Sequence, residues 1–406
     1  MKTITFIGIN FYPEDTAIGI YSTQMVEFLI QSGYKVNVIT GFPYYPQWKI
    51  KEDYQNKPTF FTEIIEGVIV YRYKQYVPKK PTFLKRIIHL LDFTIGSFIN
   101  SFKIKQTDLV IAIVPFTSTI FLGWFLKKRL KAKLWTHIQD FEFDAALQSG
   151  VSKKGNNLLF RVLYGVERVL LNTSDFSSTI SESMLIKLKT KTNSSTFYFP
   201  NWIIQDPVGT LQRKKHQYLK SNKFKILYSG SIGDKQNWEF FIDFLKEVKQ
   251  FNDVEVCIVG QGTKKEWLLS NLTDFDFVNV HNPVPLNELN DLLYSADLHI
   301  LFQKDTVLDT VMPSKILGMM ASGKPSLIAG HLESEVSKII TISQGGIYLS
   351  NSITLVLEAF NKLYFDKKLR EEMGVKAHKY VVENYDSVNI LSNFEHKLQL
   401  LLNSQD

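Results

Sequence analysis

Two series of short apolar segments alternate with helix-like stretches along this 406-residue chain, and a polar stretch parts them. In the first series ITFIGIN, VNVIT, TDLVIAIV, KLWTHI, FSSTIS and TFYFP read as strands, with helices over Tyr21 to Gln31, Thr117 to Leu130 and Leu158 to Leu171. After the polar segment Gln205 to Asn222 the alternation restarts with KILYSG, VEVCIVG, FVNVH, DLHILF, PSLIAG and GIYLS. Strands this apolar, joined by helices, belong to parallel sheets covered on both faces. The expected fold is therefore α/β, with two doubly wound Rossmann-like domains facing one another across a cleft. Their expected bounds are 1–205 and 206–385, and residues 386–406 are expected to form a helix packing back on the first domain.

Charge and cysteine content narrow the class. Cys257 is the sole cysteine, in the apolar run VEVCIVG, so a disulfide framework or a cysteine-rich zinc site within one chain is excluded. The net charge of +7 is uneven, because residues 79–133 hold eleven Lys/Arg against two Asp and leave the remainder slightly acidic. There the basic residues flank apolar helices in KKPTFLKRIIHLLDFTIGSFINSFKIK and FLKKRLKAK, a pattern that suits an anionic membrane surface or a solvated helix face. No nucleic-acid-binding motif accompanies them, so nucleic acid is not an expected partner. Phe83 to Phe102 approaches spanning length, yet Arg86, His89, Asp92 and Asn100 would be costly in hydrocarbon. The segment reads instead as a helix on a sheet. MKTITFIGIN runs straight into a strand without the features of a signal peptide, and the expected location is cytoplasmic, with contact at the inner face of the plasma membrane.

Several loops share one chemistry. In DTVMPSKILGMMASGKP, Pro313 and Ser314 open a helix that Gly323 and Pro325 close, and its free N–H groups would point past the strand Leu298 to Phe302, with Lys315 adding charge. An ordinary βα crossover would give the same capped start. The long turn GINFYPEDTAIGIYS sets Gly19 at a helix start, where a backbone without Cβ can approach a phosphate, though a plain helix start has the same look. It lacks the dinucleotide glycine fingerprint, so no nicotinamide cofactor is expected. YSGSIGDKQN places Gly230 and Gly233 in a loop with Lys235 beyond them, and VGQGTKK places Gly260 and Gly262 past the next strand. Three strand ends of the second series thus converge on one cleft, as a diphosphate ligand would need.

Taken together, these loops, VNVHNPVPLNELNDLLYSADLHI, GFPYYPQW and THIQDFEFDAAL resemble retaining GT-B glycosyltransferases of bacterial polysaccharide assembly, the colanic acid glycosyltransferases in particular, for which a fucosyl donor is proposed. The resemblance runs in order from residue 4 to about residue 350. It implies a nucleotide-sugar donor, with GDP-fucose favoured, a glycan or lipid-linked oligosaccharide acceptor, retention of configuration by front-face attack, and no cofactor or metal. Donor contacts would come from Gly19, Gly230, Ser231, Gly260, Gly262, Pro313, Ser314 and Lys315. Lys235 would neutralise the diphosphate. Two departures stand out: Ser231 occupies the place of a family arginine, and Thr310 and Gly318 occupy the places of a glutamate pair whose second member grips the ribose. Glu333 or Glu335 could take over that grip, and surface solvation of both is the alternative.

Candidates for the reacting centre end the fourth strand. His137 and Asp140 could orient an acceptor or sugar hydroxyl, while a histidine at a strand end is also a common structural residue. If the strand continues, Asp140, Glu142 and Asp144 project to one face, an arrangement that would also suit a glycoside hydrolase. Tyr44, Tyr45 and Trp48 in FPYYPQW could stack on an acceptor sugar, or simply pack the loop between Pro43 and Pro46. Asp274-Phe275-Asp276 reads as a solvated turn away from the strand carboxyl ends. An epimerase or phosphorylase of the same architecture, and a catalytically silent assembly partner, remain alternatives.

Overall fold

The computed structural model describes residues 1–14, 18–80, 82–115, 117–144, 157–203, 214–307 and 314–404. The first sheet has the order β3-β4-β2-β1-β5-β6-β7-β8. Its strands are β1 Thr3–Ile7, β2 Lys35–Gly41, β3 Phe60–Ile65, β4 Val68–Tyr73, β5 Leu109–Val114, β6 Lys133–Ile138, β7 Phe176–Thr179 and β8 Ser195–Tyr198. The second has the order β11-β10-β9-β12-β13-β14, with β9 Phe224–Ser229, β10 Val254–Val259, β11 Val278–His281, β12 Leu298–Phe302, β13 Ser326–Ala329 and β14 Gly346–Leu349. Among these strands only β3 and β4 pair antiparallel. The central strands β1, β5 and β12 are buried along their whole length, as sheets covered on both faces require.

The β3–β4 hairpin corrects the sequence reading, which passed over it. FFTEII and VIVYRY meet through the two-residue turn Glu66-Gly67, with φ of 48° and 87°. Such turns need positive φ at both central residues, and glutamate at the first of them is a weaker signal than asparagine or aspartate. The hairpin matters because it carries Arg72 and leads into Gln75.

Contacts divide the chain into two units, residues 1–201 with 388–406, and residues 202–387. The expected boundary at 205 falls outside the described residues. From Val388 on, helix Ser387–Asn403 belongs to the first unit, where Phe394 stacks on Phe199 at 4.8 Å and leans on Trp135 at 4.9 Å. Among the described residues no helix is long and apolar enough to cross a membrane. Cys257 is buried in β10, and burial pushes its thiol up to about 12.

Each sheet holds one fully enclosed histidine. His137 in β6 bonds Ser178 Oγ through Nδ1 at 2.8 Å, and His299 in β12 bonds Ser322 Oγ through Nε2 at 3.0 Å. Burial lowers both to about 3, with the Lys324 charge adding to the effect at His299. Since the unfolded imidazoles titrate near the ordinary 6.5, the stability tied to keeping them neutral is complete above that pH and is lost as the pH falls from 6.5 towards 3. Denaturant melts below pH 6.5 are expected to lose stability at up to about 1.4 kcal/mol per pH unit for each histidine. His137→Gln should make that slope shallower by one proton.

Candidate functional site

Open parallel sheets bind ligands where the strand order reverses, beyond the carboxyl ends. In the second unit the reversal lies between β9 and β12, so the loop after β9 and the chain after β12 border it. The two are stitched together. Asn237 N donates to Phe302 O at 2.9 Å, Lys304 N donates to Lys235 O at 3.1 Å, and Gln236 bridges Gln303. Tyr228, near the end of β9, donates its hydroxyl to Ser231 O at 2.6 Å, while Lys315 Nζ donates to that hydroxyl at 3.2 Å and lies 5.0 Å from the ring centroid. Gly230 sits beside the same lysine, at φ +146°, and a Cβ there would stand 3.2 Å from Lys315 Nζ. Gly230, Ser231, Lys315 and the first turn of helix Ser314–Ala321 therefore form one junction at the reversal point. Pro313 and the side chain of Ser314 lie outside the described residues, as does Thr310. Lys235 is exposed.

Gly260 and Gly262 have a packing task that spacing alone does not reveal. The loop after β10 lies back to back with the loop after β9, through Gly230 N to Val259 O, Ile232 N to Gln261 O and Lys264 N to Ile232 O, at 2.9, 2.9 and 3.0 Å. A Cβ at Gly260 would overlap the Gly230 carbonyl oxygen, and one at Gly262 the Ile232 carbonyl oxygen. Both glycines thus set the backbone of the loop after β9 from behind. Gly318 abuts Leu293. Glu333 is exposed, whereas Glu335 is buried in the first turn of helix Glu335–Ser343 with Lys338 3.9 Å away. Asp274-Phe275-Asp276 precedes β11 at its amino end, with both aspartates exposed, so it stands at the opposite edge from the reversal point.

The first unit reverses between β1 and β5, and the turn after β1 is organised by Glu14. Its buried carboxylate accepts Tyr44 N at 2.7 Å, Tyr45 N at 2.9 Å and Asn10 Nδ2 at 2.7 Å. Burial raises its pKa against those bonds and the nearby Arg72. Gly19 is needed because a Cβ there would come within 2.9 Å of the Glu14 Cβ and carbonyl oxygen. Fully buried Arg72 bonds the carbonyl oxygens of Gly41 and Tyr12 and pairs with Glu63, and Gln75 brackets Phe42 with both amide atoms. Sequence reading missed Glu14, Arg72 and Gln75. An acidic residue inside an apolar turn and an arginine on an alternating strand were the signals available.

The same geometry corrects the aromatic loop. Tyr44 is enclosed, packed against His89 at 4.8 Å and Trp48 at 5.4 Å, so it cannot offer a face to a sugar. Tyr45 and Trp48 are half-buried and Gln47 is exposed.

At the end of β6 the expectation for His137 also changes. Gln139 Nε2 donates to His137 Nε2 at 3.0 Å and to Asn201 Oδ1 at 2.9 Å, while Asn201 Nδ2 returns a bond to Gln139 Oε1 at 3.0 Å. His137 is thus the neutral Nδ1–H tautomer with both nitrogens engaged. Held near pKa 3, it is no proton acceptor for an acceptor hydroxyl at neutral pH. Asp140 is half-buried at the strand's end. The strand does not continue, so the three carboxylates do not share a face. Glu142 accepts Thr117 N and Oγ1 at 2.9 and 3.2 Å, and burial raises its pKa. Asp144 turns to Lys187 and Lys191 at 2.6 and 2.8 Å, which outweigh burial and hold it below the usual range.

Comparison with known proteins falls on this geometry. Residues 223–364, which include the β9–β12 junction, match the family described as glycosyl transferases group 1. The chain is 32% identical to the colanic acid biosynthesis glycosyl transferase WcaI of Escherichia coli, over 97% of this chain and 98% of that one. Among solved structures, sucrose-phosphate synthase from Thermosynechococcus elongatus superposes with a TM-score of 0.75 at 13% identity, covering 99% of each chain. HepE of Anabaena, solved with UDP-glucose, gives 0.68 at 12%, covering 98% of this chain and all of that one. These structural likenesses establish the two-domain GT-B fold.

Two substitutions test the local architecture. Glu14→Ala strands two buried N–H groups and is expected to cost about 2–4 kcal/mol in denaturant unfolding. Gly260→Ala should cost about 1–3 kcal/mol and also reduce the thermal shift given by a nucleoside diphosphate, because the Gly230 loop must move.

Proposed function

We propose the reaction from one premise: this chain belongs to the group 1 glycosyl transferases and is a glycosyltransferase of polysaccharide biosynthesis. In our reading it moves a sugar from a GDP-sugar, GDP-fucose being favoured, to a glycan or lipid-linked oligosaccharide, with retention of configuration and without a metal. The observation that carries this reading is the junction of Gly230, Tyr228 and Lys315 at the strand reversal, where a backbone position without a Cβ, a helix start and an ammonium group adjoin.

Lys235, exposed beyond the same loop, adds a mobile positive charge. As the bond from the sugar's anomeric carbon to the diphosphate oxygen breaks, negative charge grows on the diphosphate, and these groups stabilise it. The acceptor oxygen then bonds to the anomeric carbon on the face the diphosphate leaves, and the acceptor's proton passes to a diphosphate oxygen. No protein base is needed in this scheme, which agrees with the enclosure of His137. Asp140 keeps a role in orienting a hydroxyl. Tyr45 and Trp48 offer the accessible aromatic faces for the acceptor. A UDP-sugar donor is the second reading, supported by the likeness to HepE, which was solved with UDP-glucose. The basic 79–133 region suits an anionic membrane surface on the cytoplasmic side, where a lipid-linked acceptor would be presented.

GDP is expected to raise the melting temperature more than UDP, since a ligand that binds only the native state stabilises it by mass action. The product's anomeric configuration, read by NMR, should match the donor's, and a chelator should leave turnover unchanged. Lys235→Ala is expected to lower kcat about 100-fold. Absence of binding by any nucleoside diphosphate would overturn the proposal.

A further inference from the structure

Helix Phe83–Ser101 is mounted inside out. Its sheet-facing side carries His89, Ser97 and Asn100, all fully buried, together with Phe93 and Gly96. Its outward side carries Leu84, Ile88, Leu91, Ile95 and Ile99, exposed by 66, 46, 54, 62 and 48%. Their spacing of three and four residues makes a continuous stripe on one face of the helix. A water-facing helix normally shows the reverse pattern, because apolar area left in water forfeits its burial free energy.

Specific contacts fix this orientation. Gly96 lies so close to the Tyr73 ring of β4 that a Cβ would overlap it. Asp92 accepts the Tyr73 hydroxyl at 2.9 Å and Tyr76 N at 2.6 Å, and His89 Nδ1 meets Tyr76 O. Arg129, on the neighbouring helix Ser118–Leu130, donates to Ser101 O at 2.9 Å. The buried side chains of Ser97 and Asn100 find no hydrogen-bond partner among the described residues, so polar satisfaction does not explain why this side faces inward. A second stripe extends the surface. Helix Asn157–Leu171, which also touches helix Ser118–Leu130, exposes Val162, Val166 and Val169.

Charge selects the occupant. Exposed Lys79, Lys80, Lys85 and Arg86 stand at the amino end of the stripe, and exposed Lys105 follows its carboxyl end. Asp92, the only acid within the helix, is turned to Tyr73 and Tyr76. A second copy of the chain would bring like charges together, whereas an anionic bilayer offers hydrocarbon to the stripe and headgroup charge to its ends. At 19 residues, roughly 28 Å long, the helix would lie in the interface plane and not cross it.

We propose that helix Phe83–Ser101 docks this protein on an anionic lipid surface, its apolar stripe sunk below the headgroups and its basic ends among them. Arg86 lies 5.4 Å from the Trp48 ring centroid, so the docked helix would carry the aromatic loop to the lipid surface. The inference deepens, and rests on, the reading of a lipid-linked acceptor.

Flotation of the full chain with phosphatidylcholine vesicles, with and without phosphatidylglycerol, tests it. The chain should float with the anionic vesicles, and Leu91→Glu combined with Ile95→Glu should weaken binding by about tenfold or more. Ile342→Glu, which alters an equally exposed apolar residue of the second unit, should leave binding unchanged. Unaltered melting temperatures show that the variants fold. Failure of the unaltered chain to float, or equal flotation of the double variant, overturns the proposal. So does a dimer in light scattering that the double substitution dissolves, since the stripe then meets a second copy. Transfer to a soluble acceptor should survive the double substitution. If vesicles do not bind while that transfer persists, docking is wrong and the glycosyltransferase reading stands; binding without any transfer gives the converse.

Discussion

Parallel strands place all their carboxyl ends on one edge of a sheet, and both sheets here are parallel apart from the β3–β4 pair. Each functional loop described above inherits its position from that constraint. Where the strand order reverses, two successive loops diverge and leave room beyond the strand ends, and the chain borders that room with the loops that follow those strands. In the second unit the border is Gly230 to Gln236 on one side and the start of helix Ser314–Ala321 on the other. In the first unit it is the turn from Gly8 to Glu14 and the residues around Thr117.

The two units hold these loops by different means. The second relies on close backbone approach: Gly260 and Gly262 let one loop lie directly behind another, and Tyr228 links the front loop to Lys315. Such packing has little tolerance for added volume, because the neighbours are backbone atoms and cannot change rotamer. The first unit relies on buried charge. Glu14 gathers the N–H groups of Tyr44 and Tyr45, and Arg72 gathers the carbonyls of Gly41 and Tyr12, so loops from three strand ends are tied by charge-assisted bonds. Burying those groups raises the pKa of Glu14 but leaves the loop with few alternative arrangements.

Much of the fold was legible because apolar strands and capped helices announce themselves locally. LVIAIV in β5 is buried at all six positions, and Ser181 and Asn237 cap their helices through their own side chains. The hairpin at Glu66-Gly67 was passed over because its turn departs from the strongest two-residue signal. At the site, the glycines and Lys315 could be selected by type and position, whereas their separate tasks could not. Gly230 faces the lysine, and Gly260 stands behind Gly230, a distinction that no spacing encodes. His137 illustrates the limit most clearly: a histidine at a strand end looks available until Ser178, Gln139 and Asn201, supplied by other parts of the chain, enclose it.

Local sequence already carried two α/β sheets of mainly parallel strands, a glycine- and lysine-rich set of loops beyond the strand ends of the second, and an apolar helix with basic flanks in the first. All of these are periodicities or residue types, properties that local sequence carries. Long-range packing set which face of that helix turns outward, which tyrosine of the aromatic loop is accessible, and which titratable groups stay neutral. A side chain's exposure and pKa depend on what distant segments bring against it, and desolvation by residues far along the chain leaves no trace in the residue's own surroundings. Phe83 to Phe102 was visible as an apolar segment with basic flanks, but the outward aim of the stripe from Leu84 to Ile99 came from Gly96 meeting Tyr73.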